Sequence, residues 1–166
     1  MMYYLYLLRH AKSDWSKPWL TDFERPLNAR GLRNGPYMAR LMQQQNKNNL
    51  PTLMLCSPAL RTKQTAEFFC QVLPSLEVRF IPELYLATSE VILIQIQKVP
   101  TTHNTIMVCG HNPGLTQLIN WLQPEPIENL PTCSWVLLGT PIEWQYLTQN
   151  CATLLQWEYP KKYETG

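Results

Sequence analysis

The N-terminal stretch MMYYLYLLRHAKSDW, residues 1–15, passes from almost wholly apolar residues straight into the charged pair Arg9-His10. Its segment YYLYLL, residues 3–8, has the continuous apolar character of a strand that is buried on both faces of a sheet. Two other short runs share this character: LMLC at 53–56 and TIMVC at 105–109. We predict that these three runs are central strands of one sheet.

Helical patterns separate and follow these strands. The first two helices are predicted to begin at the cap residues Asn28 and Ser57-Pro58, and a third to run over residues 89–99 with Ser89 as its N-cap. A fourth helix and two further strands, antiparallel or at an edge, are expected at residues 113–122, 134–139 and 152–159. The alternation predicts an α/β fold, a three-layer α/β/α sandwich with a mostly parallel central sheet.

The composition is that of one ordinary globular domain. The 166 residues are 45% hydrophobic and 16% charged, and we predict a single domain over residues 1–166. No apolar run reaches the roughly 18 residues that a membrane-spanning helix needs. The N-terminus lacks a basic region before its apolar run and a small-residue cleavage site. We therefore expect no signal peptide, no membrane partner and a cytoplasmic location.

Cysteine and charge patterns narrow the function classes further. The five cysteines are scattered without a CxxC motif, which favours reduced core thiols over a disulfide framework or a zinc site. The net charge of +2 comes without a run of lysines and arginines, apart from Lys161-Lys162. We expect no nucleic-acid partner, no metal and no other cofactor.

Polar residues stand at the ends of all three predicted central strands. These ends are Arg9-His10, Ser57-Pro58 with Arg61 one turn later, and Gly110-His111-Asn112. Each side chain alone has a plain structural explanation, such as a solvated charge or a hydrogen-bonded strand end. Ligands of open α/β sheets bind beyond the carboxyl ends of the strands, so we expect the two arginines and two histidines to meet there. Gly110 is expected to let the backbone turn tightly.

Two arginines and two histidines, without a cysteine or serine nucleophile at a sharp turn, suit phosphoryl transfer to a histidine. Guanidinium groups match phosphate oxygens in bidentate geometry and stabilise the charge on a transferring phosphoryl group. A neutral imidazole can attack phosphorus, and neighbouring arginines lower its pKa and help to keep it neutral near pH 7. The second histidine could stay protonated as a donor to the phosphate.

Four segments together resemble the histidine phosphatase superfamily, which includes cofactor-dependent phosphoglycerate mutases and acid phosphatases. LLRHAKSDW at 7–15 is similar to the RHG/RHA signature of that superfamily. The other three, in the same order along the chain, are DFERPLNARG at 22–31, CSPALRTKQTAEFF at 56–69 and VCGHNPGL at 108–115. The resemblance implies a phosphoglycerate mutase-like fold.

Within the superfamily the sequence is most similar to the small SixA-like phosphohistidine phosphatases, which carry RHAKSDW, FERPLNxRG and GHNPGL in this form. The resemblance implies that His10 is the nucleophile that becomes phosphorylated and that Arg9, Arg61 and His111 form the phosphate pocket. It adds further phosphate contacts, from Ser16, where mutases carry an asparagine, and from backbone N–H groups near Gly110 and Asn112.

The general acid of the mutases is missing from its expected place. In mutases and many phosphomonoesterases, a glutamate after a leucine-x pair protonates the leaving alcohol. Here the alignment on Leu84-Tyr85 puts Leu86 there, and Glu83, a candidate acid, is out of register. A positioned acid contributes roughly 10²- to 10⁴-fold. The leaving imidazole of phosphohistidine can already be protonated, so this departure favours a P–N substrate.

The segment between the second and third helices, residues 74–88, is too short for the lid that larger relatives insert over their substrate. An open pocket suits a phosphorylated side chain on a protein. We therefore predict a metal-independent phosphatase that hydrolyses phosphohistidine on a protein partner through a phospho-His10 intermediate. Two alternatives stay open: a phosphomonoesterase with Glu83 or a substrate group as the acid, and a non-catalytic module that binds phosphorylated partners.

An aromatic cluster follows the first segment: Trp15, Trp19 and Phe23, with Lys12 and Lys17 interleaved. It could line a docking surface for an acidic protein partner, but packing within a surface loop is the interpretation that we favour. Three other residues are expected to have structural roles only: Glu24, Arg25 and Cys109.

Overall fold

The computed structural model describes residues 1–164, so the last two residues of the predicted 1–166 domain lie outside the described range. Within that range, six strands form one sheet: β1 (Tyr3–Arg9), β2 (Leu53–Cys56), β3 (Glu77–Phe80), β4 (Thr105–Gly110), β5 (Trp135–Thr140) and β6 (Thr153–Glu158). Their order across the sheet is β3-β2-β4-β1-β5-β6. Strands β1 to β4 run parallel to one another, whereas β5 is antiparallel to β1 and β6 is antiparallel to β5.

Helices connect the strands and cover both faces of the sheet. The α-helices of the described range are α1 (Ala29–Gln45), α2 (Leu60–Val72), α3 (Ser89–Gln97) and α4 (Gly114–Leu122). Successive side chains of a strand point to opposite faces. Accordingly, Leu5 and Leu7 of β1 pack in one core with α3 and α4, whereas Tyr6 and Leu8 pack in a second core with α1 and α2. The predicted three-layer α/β/α sandwich with a mostly parallel sheet is confirmed.

Strand β3 is absent from the predicted elements. Three of its four residues are exposed, and its side chains Glu77 and Arg79 form an ion pair at 2.8 Å. The strand lies at the edge of the sheet, where only β2 pairs with it. Edge strands commonly carry charged residues, so β3 lacks the apolar run by which the central strands are predicted.

The predicted N-cap is confirmed for α1 and wrong for α2. Asn28 caps α1 as predicted, because its side chain accepts a hydrogen bond from the backbone N–H of Gly31 at 2.9 Å. Helix α2 has Ala59 as its N-cap residue instead of Ser57-Pro58. The hydroxyl of Ser57 contacts the ring of His111 at 2.7 Å and so belongs to the site described below.

The last two helices are shifted slightly from their predicted bounds. Thr88, and not Ser89, caps α3, because the Thr88 hydroxyl accepts from the backbone N–H of Val91 at 3.3 Å. The helix ends at Gln97 rather than at residue 99. Helix α4 begins at Gly114, directly after the predicted start at Pro113.

The cysteines of the described range are free, and Cys109 is completely buried. A hydrogen bond with Cys56 and burial raise the pKa of the Cys109 thiol well above its usual value. A thiol of this kind is a poor nucleophile, as expected for an inert core residue. No helix between residues 1 and 164 is both long and apolar enough to cross a membrane.

Candidate active site

The carboxyl ends of β1, β4 and β2 lie side by side and level with one another. Arg9 of β1 is in register with Gly110 of β4, and Cys56 of β2 with Cys109 of β4. Backbone hydrogen bonds continue past the strand ends, from the N–H of His10 to the carbonyl of Gly110 at 3.2 Å. The three predicted strand ends therefore meet at one edge of the sheet.

The imidazole of His10 is fixed by the backbone of the next residue. The side chain is buried, and its Nδ1 lies 2.7 Å from the carbonyl oxygen of Ala11. A carbonyl oxygen only accepts, so Nδ1 carries the proton and Nε2 carries the lone pair. The N–H of Ala11 is itself held by the hydroxyl of Thr65 on α2 at 2.9 Å. This tautomer presents Nε2 as the nucleophilic nitrogen.

Arg61 of α2 lies between the two histidines. Its side chain is 3% exposed; its Nε is 3.4 Å from Nε2 of His10 and its Nη2 is 3.4 Å from Nδ1 of His111. Asp22 anchors the guanidinium twice, through its backbone oxygen at 2.8 Å and its carboxylate at 3.0 Å. A buried arginine held in this way is a preorganised partner for a phosphate group.

His111 is held on its other side by Ser57. Its Nε2 lies 2.7 Å from the Ser57 hydroxyl, and the ring centroids of His10 and His111 are 5.3 Å apart. Because Arg61 can only donate to Nδ1 of His111, the proton of the neutral ring lies on Nε2 and is donated to Ser57.

Both histidines are neutral near pH 7 in this structure. Burial lowers the pKa of His10 to about 4, with further lowering by the charges of Arg61, Arg9 and Arg25 against a raising hydrogen bond from Ala11. Burial and the neighbouring His10 and Arg61 lower the pKa of His111 to about 3. His111 is therefore neutral in the ligand-free pocket, and its protonation as a donor to a bound phosphate stays a prediction. A neutral His10 retains the lone pair that an attack on phosphorus requires.

Arg9 lies at the end of β1 with one of its guanidinium nitrogens satisfied. Its Nη1 donates to the carbonyl of Leu130 at 3.1 Å, whereas its buried Nε has no partner among the described residues. Burial and the charge of Arg61 lower the pKa of Arg9. The backbone N–H of Cys133 contacts the carbonyls of both Arg9 and His10, at 3.1 and 3.0 Å, and fixes this strand end.

These groups line a cavity of about 280 Å³, which we call the catalytic cavity. Its lining is rich in cations and comprises Arg9, His10, Lys12, Ser13, Trp15, Asp22, Arg25, Arg61, Leu86, His111, Asn112 and Thr132. Within residues 1–164, no three His, Cys, Asp or Glu side chains are placed to hold a metal ion together. The cavity can accept a phosphoryl group between cationic side chains, within reach of His10.

The sequence model of the histidine phosphatase superfamily (branch 1) matches residues 5–85. The chain belongs to this superfamily. An uncharacterised protein of Mycobacterium tuberculosis is 30% identical over an alignment that covers 93% of this chain and 100% of that protein. An uncharacterised chloroplastic protein of Arabidopsis thaliana is 35% identical over 81% of this chain, and the match spans 65% of the length of the Arabidopsis protein.

Solved structures place the chain among SixA-like members of the superfamily. The protein assigned as phosphohistidine phosphatase SixA of Agrobacterium tumefaciens superposes with a TM-score of 0.83 and 27% identity, over 95% of this chain and 98% of its own. The protein assigned as phosphohistidine phosphatase SixA of Nakamurella multipartitia superposes with a TM-score of 0.81 and 25% identity, over 96% of this chain and 97% of its own. The protein histidine phosphatase SixA complexed with tungstate superposes with a TM-score of 0.77 and 20% identity, over 97% of this chain and 99% of its own. This third match shows a shared fold.

The site of this histidine phosphatase contains an acidic residue and a third arginine that the sequence patterns do not identify as site residues. Arg25 was expected to be structural only, yet it lines the catalytic cavity and donates to Ser13 and to Asp22, both at 2.6 Å. Asp22 also accepts from the hydroxyl of Tyr85 at 2.5 Å. Both residues lie in the segment DFERPLNARG, one of the four segments that carry the resemblance to the superfamily.

Asp22 is an ionised anchor for two arginines. Partial burial raises its pKa, but hydrogen bonds from Tyr85 and Arg25 and the charge of Arg61 lower it more, to well below its usual range. Glu24, by contrast, accepts from the hydroxyl of Thr21 at 2.7 Å outside the cavity, in keeping with the structural role expected for it.

The structure does not bring every predicted site residue to the catalytic cavity. Ser16 is exposed, is absent from the lining and donates its backbone N–H to Asp14 at 2.8 Å. Glu83 is exposed on the short 3₁₀ helix Pro82–Leu84, also outside the lining. Asn112 does line the cavity, but its amide nitrogen donates to Leu130 at 2.9 Å and its oxygen accepts from the Thr116 hydroxyl at 2.9 Å.

Leu86, which the alignment on Leu84-Tyr85 puts at the acid position of mutases, lines the catalytic cavity. Its φ angle of 48° lies in the left-handed region, which is uncommon for leucine, and its side chain is half exposed. The carboxyl group of the described lining is that of Asp22 alone. An apolar, strained residue thus occupies the place of a proton donor.

Two expectations about local structure are wrong. Gly110 lies within β4, and a Cβ atom built there would meet only ordinary contacts, the nearest at 3.9 Å to Leu115. The turn therefore follows Gly110 and does not depend on it. Trp15 and Trp19 are 72% and 75% exposed, so most of each side chain is not packed within the loop. The Arg25 guanidinium lies over the Trp15 ring, 3.5 Å from its centroid.

Proposed function

We propose that this histidine phosphatase removes the phosphoryl group from phosphohistidine on a protein partner, through a covalent intermediate at His10. Membership of the superfamily supports phosphatase activity in general. The likeness to SixA of Agrobacterium tumefaciens supports the phosphohistidine substrate, since that protein is assigned this activity. The geometry of the cavity supports the mechanism and the choice of bond.

In the first step, Nε2 of His10 attacks the phosphorus atom. The new N–P bond forms as the P–N bond to the substrate imidazole breaks, and the substrate ring, already protonated on its other nitrogen, leaves as neutral imidazole. Arg9, Arg25 and Arg61 stabilise the charge on the transferring oxygens. Phospho-His10 keeps its proton on Nδ1, where the Ala11 carbonyl accepts it at 2.7 Å.

In the second step, water attacks phospho-His10. The N–P bond breaks, the electron pair returns to Nε2, and His10 leaves as the neutral Nδ1–H imidazole from which the cycle began. The water proton goes to the departing inorganic phosphate. The same bond type breaks in both steps, so neither step needs an acid to protonate an alkoxide.

One observation carries the choice of substrate: the described lining has Asp22 as its carboxyl group, and that carboxylate is held ionised by Tyr85, Arg25 and Arg61. An ionised carboxylate cannot donate a proton to a leaving alkoxide. A phosphomonoesterase would therefore lack a positioned acid, which typically contributes about 10²- to 10⁴-fold. Phosphohistidine does not require one.

The surroundings of the cavity suit a protein as the carrier of the phosphohistidine. Trp15 is exposed on its rim, Trp19 is exposed nearby in sequence, and Lys12 and Lys17 are exposed beside them. Exposed tryptophans of this kind are enriched at protein interfaces. Lysines next to them would favour an acidic partner.

The test is a substrate panel in EDTA: a phosphohistidine protein, phosphoramidate, 4-nitrophenyl phosphate and an alkyl phosphate. We expect turnover of the two P–N substrates with kcat/KM at least about 10²-fold above that of the alkyl phosphate, and no turnover in His10→Ala. A preference for the alkyl phosphate would assign a phosphomonoesterase. Binding of the phosphoprotein without turnover of any substrate would assign a non-catalytic module, and loss of activity in EDTA would overturn metal independence.

The protein partner is tested with Trp19→Ser and a matched control, Tyr146→Ser, an exposed aromatic residue on the 3₁₀ helix Trp144–Tyr146. We expect Trp19→Ser to raise KM for the phosphohistidine protein and to leave phosphoramidate turnover unchanged. The control should change neither. Equal kinetics of all three proteins on the phosphoprotein would count against this docking surface.

A further inference from the structure

A second cavity, larger than the catalytic one, adjoins it. Its volume is about 350 Å³, against about 280 Å³ for the catalytic cavity. Arg9, Lys12 and Thr132 line both cavities, so the two cavities are adjacent. A molecule whose phosphoryl group lies against His10 would pass these three residues to reach the second cavity.

The second cavity is cationic. Besides Arg9 and Lys12 it is lined by Arg30 of α1 and Lys161, and its described lining contains no carboxylate. Arg30 forms an ion pair with Glu164 at 3.1 Å, but both side chains are about two-fifths exposed. Exposed ion pairs contribute little to stability, so an incoming anion can compete with Glu164 for Arg30.

The buried Nε of Arg9 is an unsatisfied hydrogen-bond donor within residues 1–164. No described residue accepts from it, although a buried donor without a partner is costly. Arg9 lines both cavities. Arg9 and Lys12 are shared with the phosphoryl group at His10, and the described cations that line the second cavity alone are Arg30 and Lys161.

We propose that the second cavity is an anion subsite, which binds a carboxylate or phosphate group carried by the same molecule as the phosphoryl group at His10. This inference rests on the proposed function, because it takes the catalytic cavity as the place of the phosphoryl group. The subsite selects substrates with a second negative group near the scissile one. On a protein this group is an acidic side chain close to the phosphohistidine; on a small molecule it is a second phosphate.

The direct test compares two non-hydrolysable ligands of equal length, 4-phosphonobutyrate and butylphosphonate, which differ in the distal carboxylate. Binding is measured by calorimetry at low salt, where charge interactions are least screened. We expect 4-phosphonobutyrate to bind about tenfold more tightly, the effect of one charge-assisted contact. Equal affinities, or no measurable binding of either ligand, would overturn the proposal.

Variants show which residues cause the difference in affinity between 4-phosphonobutyrate and butylphosphonate. Arg30→Gln and Lys161→Gln change residues that line only the second cavity, and Arg33→Gln, an exposed arginine on the same helix outside both linings, is the matched control. The double variant should lose the tenfold advantage while its affinity for butylphosphonate stays unchanged. The control should keep both values. An advantage that survives in the double variant would place the carboxylate elsewhere and overturn the proposal.

Two further arms identify the source of the second anion. A peptide that carries a non-hydrolysable phosphonate analogue of phosphohistidine between flanking glutamates is compared with its glutamine version, and propane-1,3-diphosphonate with propylphosphonate. An advantage for the acidic peptide that the double variant abolishes assigns protein substrates, whereas one confined to the diphosphonate assigns small molecules. These affinities do not depend on turnover, so an enzyme inactive on phosphohistidine would overturn the proposed function and leave the subsite result intact.

Discussion

Nδ1 of His10 lies 2.7 Å from the carbonyl oxygen of Ala11, and this contact fixes which nitrogen of the ring can attack phosphorus. The Ala11 carbonyl accepts the Nδ1 proton in the free enzyme and would accept it again in the phosphorylated one. The backbone N–H of Ala11 donates to the hydroxyl of Thr65 at 2.9 Å. That hydroxyl in turn donates to the carbonyl of Arg61 at 2.7 Å. His10 and Arg61 are therefore positioned by one hydrogen-bonded unit.

The neutral histidines make stability depend on pH. Because the folded pKa values of His10 and His111, about 4 and about 3, lie below the ordinary value of 6.5, the unfolded chain binds more protons below pH 6.5. Stability from this source is complete above pH 6.5 and falls as the pH falls towards 4. At pH 5 we expect a loss on the order of 2 kcal/mol for each histidine relative to pH 7, measured by urea unfolding.

The variants His10→Gln and His111→Gln should each flatten this pH dependence. The matched control is His103→Gln, because His103 lies outside the site, where its Nδ1 contacts the Thr52 hydroxyl at 2.9 Å. The control should keep the wild-type slope. A wild-type slope in both site variants would show that the two imidazoles are not the groups that titrate.

Asp22→Asn tests whether Asp22 positions the arginines or acts as an acid. The substitution removes the charge that anchors Arg61 and Arg25, and we expect kcat/KM to fall about 10- to 100-fold through misplacement of the two guanidinium groups. The fall should be equal for 4-nitrophenyl phosphate and phenyl phosphate, which differ in leaving-group basicity. Glu24→Gln, a neighbouring exposed carboxylate, is the control. A larger loss on phenyl phosphate would mean that Asp22 is a proton donor.

Leu86→Glu tests the missing acid by supplying one. Leu86 lines the catalytic cavity and is half exposed, so a glutamate can be accommodated there. We expect the turnover of alkyl phosphates, relative to phosphoramidate, to rise at least about tenfold, a small part of what a positioned acid can contribute. Leu86→Gln has the same shape without the acid and should show no rise. An equal rise in both variants would trace the effect to polarity instead of proton donation.

Gly31 and Gly110 should respond differently to alanine. A Cβ atom on Gly31 would lie 2.4 Å from the carbonyl oxygen of Lys12, so α1 or the loop after β1 would have to move. Gly31→Ala should lower the free energy of unfolding by about 1 to 3 kcal/mol and reduce activity, because Lys12 lies two residues from His10. Gly110→Ala should be close to neutral in stability. Similar losses of stability in both variants would contradict this account.

The central strands and the convergence of Arg9, His10, Arg61 and His111 on one cavity could be predicted because each leaves a signal within a few consecutive residues. An apolar run followed by Arg9-His10 or by His111 indicates both a buried strand and its functional end. The rule that ligands bind beyond the carboxyl ends of parallel strands then brings these residues together. The structure confirms this convergence at the ends of β1, β2 and β4.

The rest depended on contacts between distant segments. Asp22 enters the site through Arg61 and Tyr85, which are remote in sequence and carry no local pattern that links them. The neutral state of His111 depends on burial, which composition does not give. The second cavity forms where β1, α1 and the segment around Lys161 meet, so it is visible only in three dimensions.

The most direct test of the central claim is to trap the intermediate. The enzyme is mixed with a phosphohistidine protein, quenched in base, digested and analysed by mass spectrometry, with His10→Ala as the control. The account predicts acid-labile, base-stable phosphate on the peptide that carries His10, formed within the first turnover and absent from His10→Ala. Turnover of the phosphohistidine protein without phosphate on His10, or phosphate on another residue, would contradict it.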